Sequence, residues 1–163
     1  MKMAIVTALC AFLIGCEFTV PLVEEPTTKI NPALLGLWQH SKEDGKVEKL
    51  LILPLGEREY LVSWPANVQD ALFARACLTE TGGIPIAQLK WFGTAEGTPP
   101  DDERVYQLAT YALDDQQLTI RMLNADLVGR DAPSSEALEA AIIRNTAAAN
   151  LFHESMVFRK VQP

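Results

Sequence analysis

The sequence predicts a mainly β protein: an antiparallel meander or a small closed or partly open β-barrel, with one C-terminal helix before a last strand. Three observations carry this. Between residues 37 and 123 apolar and polar side chains alternate in short runs, the period of two that half-buried strands show. Turn residues, among them Asp44-Gly45, Gly82-Gly83 and Asp114-Asp115, stand between those runs where hairpins need them. Beyond them a single alanine-rich stretch has helical spacing, and one more alternating run closes the chain.

The elements follow in order. In "NPALLGLW", Asn31 is a cap, Pro32 suits the first helical position and Gly36 closes a single turn. Residues 37–41 make the first strand, and "KEDGK" turns it into a second over 47–53. After Pro54 and Gly56, "EREYLVSW" places Tyr60, Val62 and Trp64 on one face and Glu59, Leu61 and Ser63 on the other, until Pro65 stops it. The stretch "NVQDALFARA" also contains helix formers. A strand over about 72–79 is the better reading, because "TGG" at 81–83 looks like a hairpin turn into "IPIAQLKWF".

"TAEGTPPDDE" is a polar loop, and "RVYQLATYAL" and "QLTIRML" flank "DDQ" as another hairpin. Pro133 and Ser134 open a helix over 135–148, with Leu138, Ala141 and Ile142 on one stripe. In "ESMVFRKV", Met156, Phe158 and Lys160 alternate with Val157, Arg159 and Val161 as the closing strand. The chain shows no internal repeat.

The N-terminus is of another kind. Lys2 precedes an apolar run over 3–14, too short for the roughly 20 residues a membrane-spanning helix takes. A positive start, a short apolar core and small residues at its end mark a secretory signal. Its last residues, Leu13-Ile14-Gly15-Cys16, resemble the lipobox of bacterial lipoproteins. The resemblance implies that the Cys16 thiol takes diacylglycerol, that the chain is cut after Gly15, and that the new amino group is acylated with a fatty acid such as palmitate. Each buried methylene adds about 0.8 kcal/mol and stable anchoring takes two signals, so three acyl chains make a lasting membrane anchor.

Glu17 stands where many inner-membrane lipoproteins carry Asp, and the family's sorting rule then favours the outer membrane, facing the periplasm. Residues 17–30 hold two prolines and three glutamates without a sustained period and read as a tether, reaching about 45 Å if extended at roughly 3.3 Å per residue. The expected organisation is thus a signal peptide over 1–15, an acylated tether over 16–30 and a single β-rich domain over 31–163.

Removing residues 1–15 takes away Lys2 and leaves 13 basic against 21 acidic side chains, a net charge of −8. That balance disfavours nucleic acid and anionic lipid headgroups as partners, and serves solubility beside a like-charged envelope. Cys10 leaves with the signal and Cys16 becomes a thioether, so Cys77 has no thiol to pair with and the domain must hold without disulfides. No Cys-His signature surrounds Cys77, which reads as a small strand residue. His40 and His153 lack a spacing that would chelate a metal, and no nucleophile motif accompanies them. Asp101, Asp102 and Glu103 lack the spacing of an EF-hand loop. No enzymatic role, metal or cofactor is expected beyond the lipid on Cys16.

Gly36-Leu37-Trp38, after a short helical turn and at the start of the first strand, resembles the Gly-x-Trp element that opens lipocalins. A late helix followed by one more strand is similar to that family too, although its second signature, near a Thr-Asp-Tyr, is missing. The resemblance implies that Trp38 plugs the closed end of a barrel and that a late arginine packs across its ring: Arg121, Arg130 or Arg159. Trp38, Trp64 and Trp91 stand on separate strands, with Tyr60, Phe73 and Tyr111 nearby in the pattern. If these rings face a lumen they line an apolar pocket, with Tyr60, Trp64 and Trp91 as the ligand-binding set; if they fill the centre they are core. The expected function is accordingly a lipocalin-like barrel that binds a small apolar ligand. The alternative is an envelope interaction or structural lipoprotein whose solid core contacts another envelope protein.

Overall fold

Each strand pairs antiparallel with the next, and the last returns to the first, so eight strands close into a barrel. The computed structural model describes residues 17–100 and 102–162; the lipobox and Cys16 lie outside them. A 3-10 turn at Pro32–Leu34 leads into β1 (Gly36–Ser41), β2 (Val47–Pro54), β3 (Tyr60–Ser63), β4 (Leu72–Thr81), β5 (Ile84–Thr94), β6 (Tyr106–Asp114) and β7 (Gln117–Met122). Two helices follow, α1 (Ala125–Val128) and α2 (Ser135–Arg144), and then β8 (Met156–Lys160). The ambiguous "NVQDALFARA" enters a strand: β4 pairs with β5 along its whole length, which local helix formers cannot outweigh.

Closure rests on a short seam. β1 meets β8 through Trp38 opposite Lys160 and Gln39 opposite Arg159. The Val161 amide adds a bond to the Leu37 carbonyl at 2.8 Å. His40 continues the seam with its side chain, its Nδ1 lying 2.9 Å from the Val157 carbonyl.

Several boundaries differ from expectation, each for a local reason. The third strand begins at Tyr60 rather than 57, because Gly56 has φ +91° and the Leu55 amide bonds the Glu59 carbonyl across a turn. The helix expected over 135–148 ends at Arg144. Asn145 terminates it, its own amide reaching the Ile142 carbonyl and its Nδ2 the Ala141 carbonyl at 2.8 Å, and the alanines beyond lie in turns. The sequence reading omitted α1, which Asn124 caps and Gly129 ends. The first turn is capped by the Asn31 side chain as expected, whereas Gly36 opens β1 at φ +123°, a conformation other residues rarely adopt.

Two apolar cores result. Inside the barrel Trp38, Trp64, Trp91 and Phe158 fill much of the volume. Outside its wall Ile86 and Leu108, pointing away from the lumen on β5 and β6, pack under Phe18, Leu138, Ile142 and Phe152. The predicted stripe of α2 is thus the part that covers the wall. At the hairpin beneath it Gly82 has φ +59°, and a Cβ there would come within 2.9 Å of the Thr146 methyl, so a larger residue would have to displace that side chain.

Residues 17–23 do not run free as a tether. The Glu17 and Phe18 amides both donate to the Tyr106 carbonyl, at 2.9 and 3.1 Å, and the Tyr106 amide returns to Phe18. Gln88, on the outer face of β5, then holds the segment: its Oε1 accepts from the Leu22 and Val23 amides and its Nε2 donates to the Val23 carbonyl. The physical reason is apolar. Phe18 is 1% exposed and Leu22 is buried, so the segment is a strap that completes the outer core.

The cation over Trp38 also differs from expectation. It is Lys160, whose Nζ lies 5.0 Å from the ring centre and donates to the Ala33 carbonyl at 2.9 Å. Strand parity decides this, since 160 and not 159 faces inward opposite Trp38. Arg121 instead binds the Phe152 and His153 carbonyls, Arg130 pairs with Glu17 and Asp126, and Arg159 is exposed.

Candidate functional site

A cavity of about 80 Å³ lies inside the barrel, and its surface is entirely apolar. Its origin is a run of small residues in register. Ala87 stands opposite Leu78 on one side and Ala109 on the other, and Ala76 stands opposite Leu89. Each inward alanine leaves room that the large rings on the opposite side of the barrel do not reach. The remaining wall comes from the inward positions of β2, β3 and β7, including Leu50, Ile52, Val62, Leu118 and Ile120.

Leu34 of the 3-10 turn, Tyr60 and Tyr111 contribute to the lining as well. The Tyr60 oxygen accepts from the Asn31 amide at 2.6 Å, which ties the turn to β3. Burial raises both phenols above their ordinary range; the Asn31 bond partly offsets this for Tyr60, and the nearby Tyr60 adds to it for Tyr111. Both stay neutral at physiological pH, and among the described residues no charged side chain borders the space. The cavity therefore suits an uncharged, apolar occupant.

Of the aromatic residues singled out from the sequence, Tyr60, Trp64 and Tyr111 border this cavity, whereas Phe73 stacks on Phe92. Trp91 lies in the same core but away from the cavity wall, its indole N–H donating to Gln107 Oε1 at 3.2 Å. Trp38 is completely buried beside the 3-10 turn and donates to the Leu34 carbonyl at 2.9 Å. Phe158 packs against both His40, at 5.3 Å between ring centres, and Trp64, at 5.9 Å. Sequence reasoning looked for rings and missed the alanines. Their signal was present, as inward positions of "FARACL", "IAQL" and "QLATY" that carry only a methyl group.

Elsewhere the chemistry is sparse. A cleft of mixed polar and apolar surface lies along the seam between β1 and β8, around Gln39, Ser41, Val157 and Arg159. His153 is exposed. Among the described residues no group of three or more His, Cys, Asp or Glu side chains gathers around one point. Asp102 accepts from the Arg104 amide at 2.7 Å, a turn contact. Cys77 is buried on the outer wall under Gln88, whose Nε2 lies 3.8 Å from its sulfur. Burial, with a smaller contribution from the charge of Glu59, pushes its thiol up to about 11, so the nucleophilic thiolate is scarce at neutral pH. Among the described residues no helix is long and apolar enough to cross a membrane.

Comparison with protein families, with curated proteins and with solved structures gave no match to this chain.

Proposed function

We propose that this chain is a bacterial lipoprotein, anchored through Cys16 to the outer membrane on its periplasmic side, whose lipocalin-like barrel binds a small apolar ligand. The observation that carries the binding reading is the uncharged, wholly apolar cavity among Ala76, Ala87 and Ala109. Its size sets the scale of the ligand. An engineered cavity of about 150 Å³ takes benzene, so about 80 Å³ suits a compact molecule rather than a whole lipid. Met122 in the wall is an adaptable side chain and can yield to a slightly larger guest.

The binding test is native mass spectrometry of protein extracted in mild detergent, comparing the natural sequence with Ala109→Leu. A co-purifying small molecule is expected with the first and not with the second, because the added isobutyl group fills the space. No bound compound, or one retained by Ala109→Leu, sinks this reading. A co-purifying envelope protein in its place would favour the alternative, an interaction lipoprotein.

Anchoring is tested separately. Cys16→Ser is expected to abolish incorporation of labelled palmitate and to leave an uncut precursor; labelled palmitate on that variant would refute the lipoprotein reading. Because Glu17 and Phe18 are fixed to Tyr106, an anchor on Cys16 starts at the barrel wall and not at the end of a long leash. The barrel would then ride close to the membrane surface.

A further inference from the structure

Phe73 and Phe92 belong to neither apolar core. Their rings stack on the outer wall with centres 6.4 Å apart and 25° between planes, and Phe92 is 50% exposed. A break in the β4–β5 register produces the pair. Phe73 stands opposite Gly93 and Ala74 opposite Trp91, so Phe92 has no opposite number and lies beside Phe73. Two residues from each ring, Arg75 stands opposite Lys90 on the same outer face. Like charges so placed repel. Glu59 neutralises Arg75, whereas Lys90 is exposed and has no carboxylate partner among the described residues. Its Nζ lies 5.6 Å from the centre of the Tyr106 ring. Tyr106 in turn joins this patch to the N-terminal strap, for it carries Phe18 on one side and pairs with Lys90 on the other. At about 4.8 Å per strand and about 3.3 Å per residue, Phe92 comes within about 12 Å of the Phe18 backbone. Glu17 alone separates Phe18 from Cys16.

We propose that the Phe73–Phe92 face of β4 and β5 lies in the phospholipid interface of the membrane that holds Cys16, with the two rings among the upper acyl chains and Lys90 at the phosphates. The inference rests on the lipoprotein reading above and adds a second contact to the acyl anchor. A bilayer that holds acyl chains on Cys16 passes beside this face, because the strap is fixed to the barrel wall at Glu17 and Phe18. An exposed aromatic stack next to a long cationic side chain suits the boundary between lipid tails and headgroups, where the rings enter and the ammonium stays with the polar layer. The excess of acidic side chains opposes attraction to an anionic surface, so apolar insertion leads and Lys90 acts locally. Two points of attachment give the barrel one orientation, with the outer face of β8 turned away from the membrane, since β8 stands across the closed barrel from β4 and β5.

The test uses protein expressed from the whole sequence and reconstituted in phosphatidylcholine vesicles, with and without lipids brominated near the headgroup, whose bromine quenches tryptophan on contact. Trp38, Trp64 and Trp91 are at most 4% exposed and supply a constant background. Phe92→Trp, a substitution at an exposed ring, is expected to add emission that the brominated lipid removes. Arg159→Trp, on the exposed outer face of β8, should add emission that the brominated lipid leaves intact. Lys90→Glu, made together with Phe92→Trp, is expected to weaken the quenching, and unchanged quenching would overturn the part given to Lys90. Emission from position 92 that aqueous iodide quenches and brominated lipid does not would place the face in water. Emission that neither reaches would mean that a partner protein or a second copy covers it. Equal quenching by lipid at 92 and 159 would mean that the barrel has no fixed orientation. Each of these three results overturns the inference while leaving the anchor in place. Protein that fails to float with the vesicles would refute the lipoprotein reading itself, and this inference with it.

Discussion

Trp38→Ala is expected to lower the unfolding free energy by about 3–5 kcal/mol, the usual cost of removing a large buried aromatic ring. For a domain whose whole stability is about 5–15 kcal/mol, that is a large share. The ring is completely buried and its N–H holds the Leu34 carbonyl, so the substitution both leaves a void beside the 3-10 turn and orphans that carbonyl. Lys160 loses the face it covers as well, while keeping its bond to Ala33. The damage falls on the seam, since Trp38 and Lys160 are one of the two residue pairs through which β1 meets β8. Urea denaturation of a soluble form beginning at Glu17 measures the loss. Trp38→Phe, which keeps most of the apolar area and loses the N–H, should cost far less. A near-neutral Trp38→Ala would show that the Gly-x-Trp element does not hold the closed end of the barrel.

Phe18→Ala is expected to cost about 3 kcal/mol, and its readout is chemical. Phe18 is 1% exposed in the outer core, in a segment joined to the barrel by backbone bonds at Tyr106 and by the Gln88 side chain. Because those attachments are local, the strap can peel away without unfolding the barrel, and the loss appears first as more frequent opening. Cys77 reports it: Gln88 links the thiol to the strap, and burial holds the thiol at about 11. Opening returns it towards the ordinary value near 9.0 and exposes it to reagent. Below the ordinary value the thiol is protonated in both states, so the effect at pH 8 comes through exposure and the small thiolate fraction. With about 1.4 kcal/mol per factor of ten, the rate of Cys77 modification should rise by about a hundredfold. An unchanged rate would mean that Phe18 does not fasten the strap, and a rapid reaction in the natural sequence would mean that residues 17–23 are a free tether after all.

The sequence by itself determined the order and class of the elements. Alternation at Tyr60, Val62 and Trp64 and turn residues such as Gly82-Gly83 are local, and local chemistry suffices to define strands and hairpins. The stripe of Leu138, Ala141 and Ile142 likewise named the buried face of α2 before any partner was known. The strap was half legible: Phe18, Val20 and Leu22 alternate like a strand, but the prolines and glutamates around them masked the pattern. The backbone of that segment is held by Gln88, a polar residue 66 positions away from Leu22, and nothing local to either announces the bond. Lys160 rather than Arg159 sits over Trp38 because the register of β1 on β8 sets the parity, and that register is reached only when the barrel closes. The cavity has the same cause. Ala76, Ala87 and Ala109 are unremarkable small residues on three strands, and become one empty space only when β4, β5 and β6 lie side by side. Periodicity belongs to the chain, while a void belongs to the meeting of distant segments, which only the tertiary structure decides.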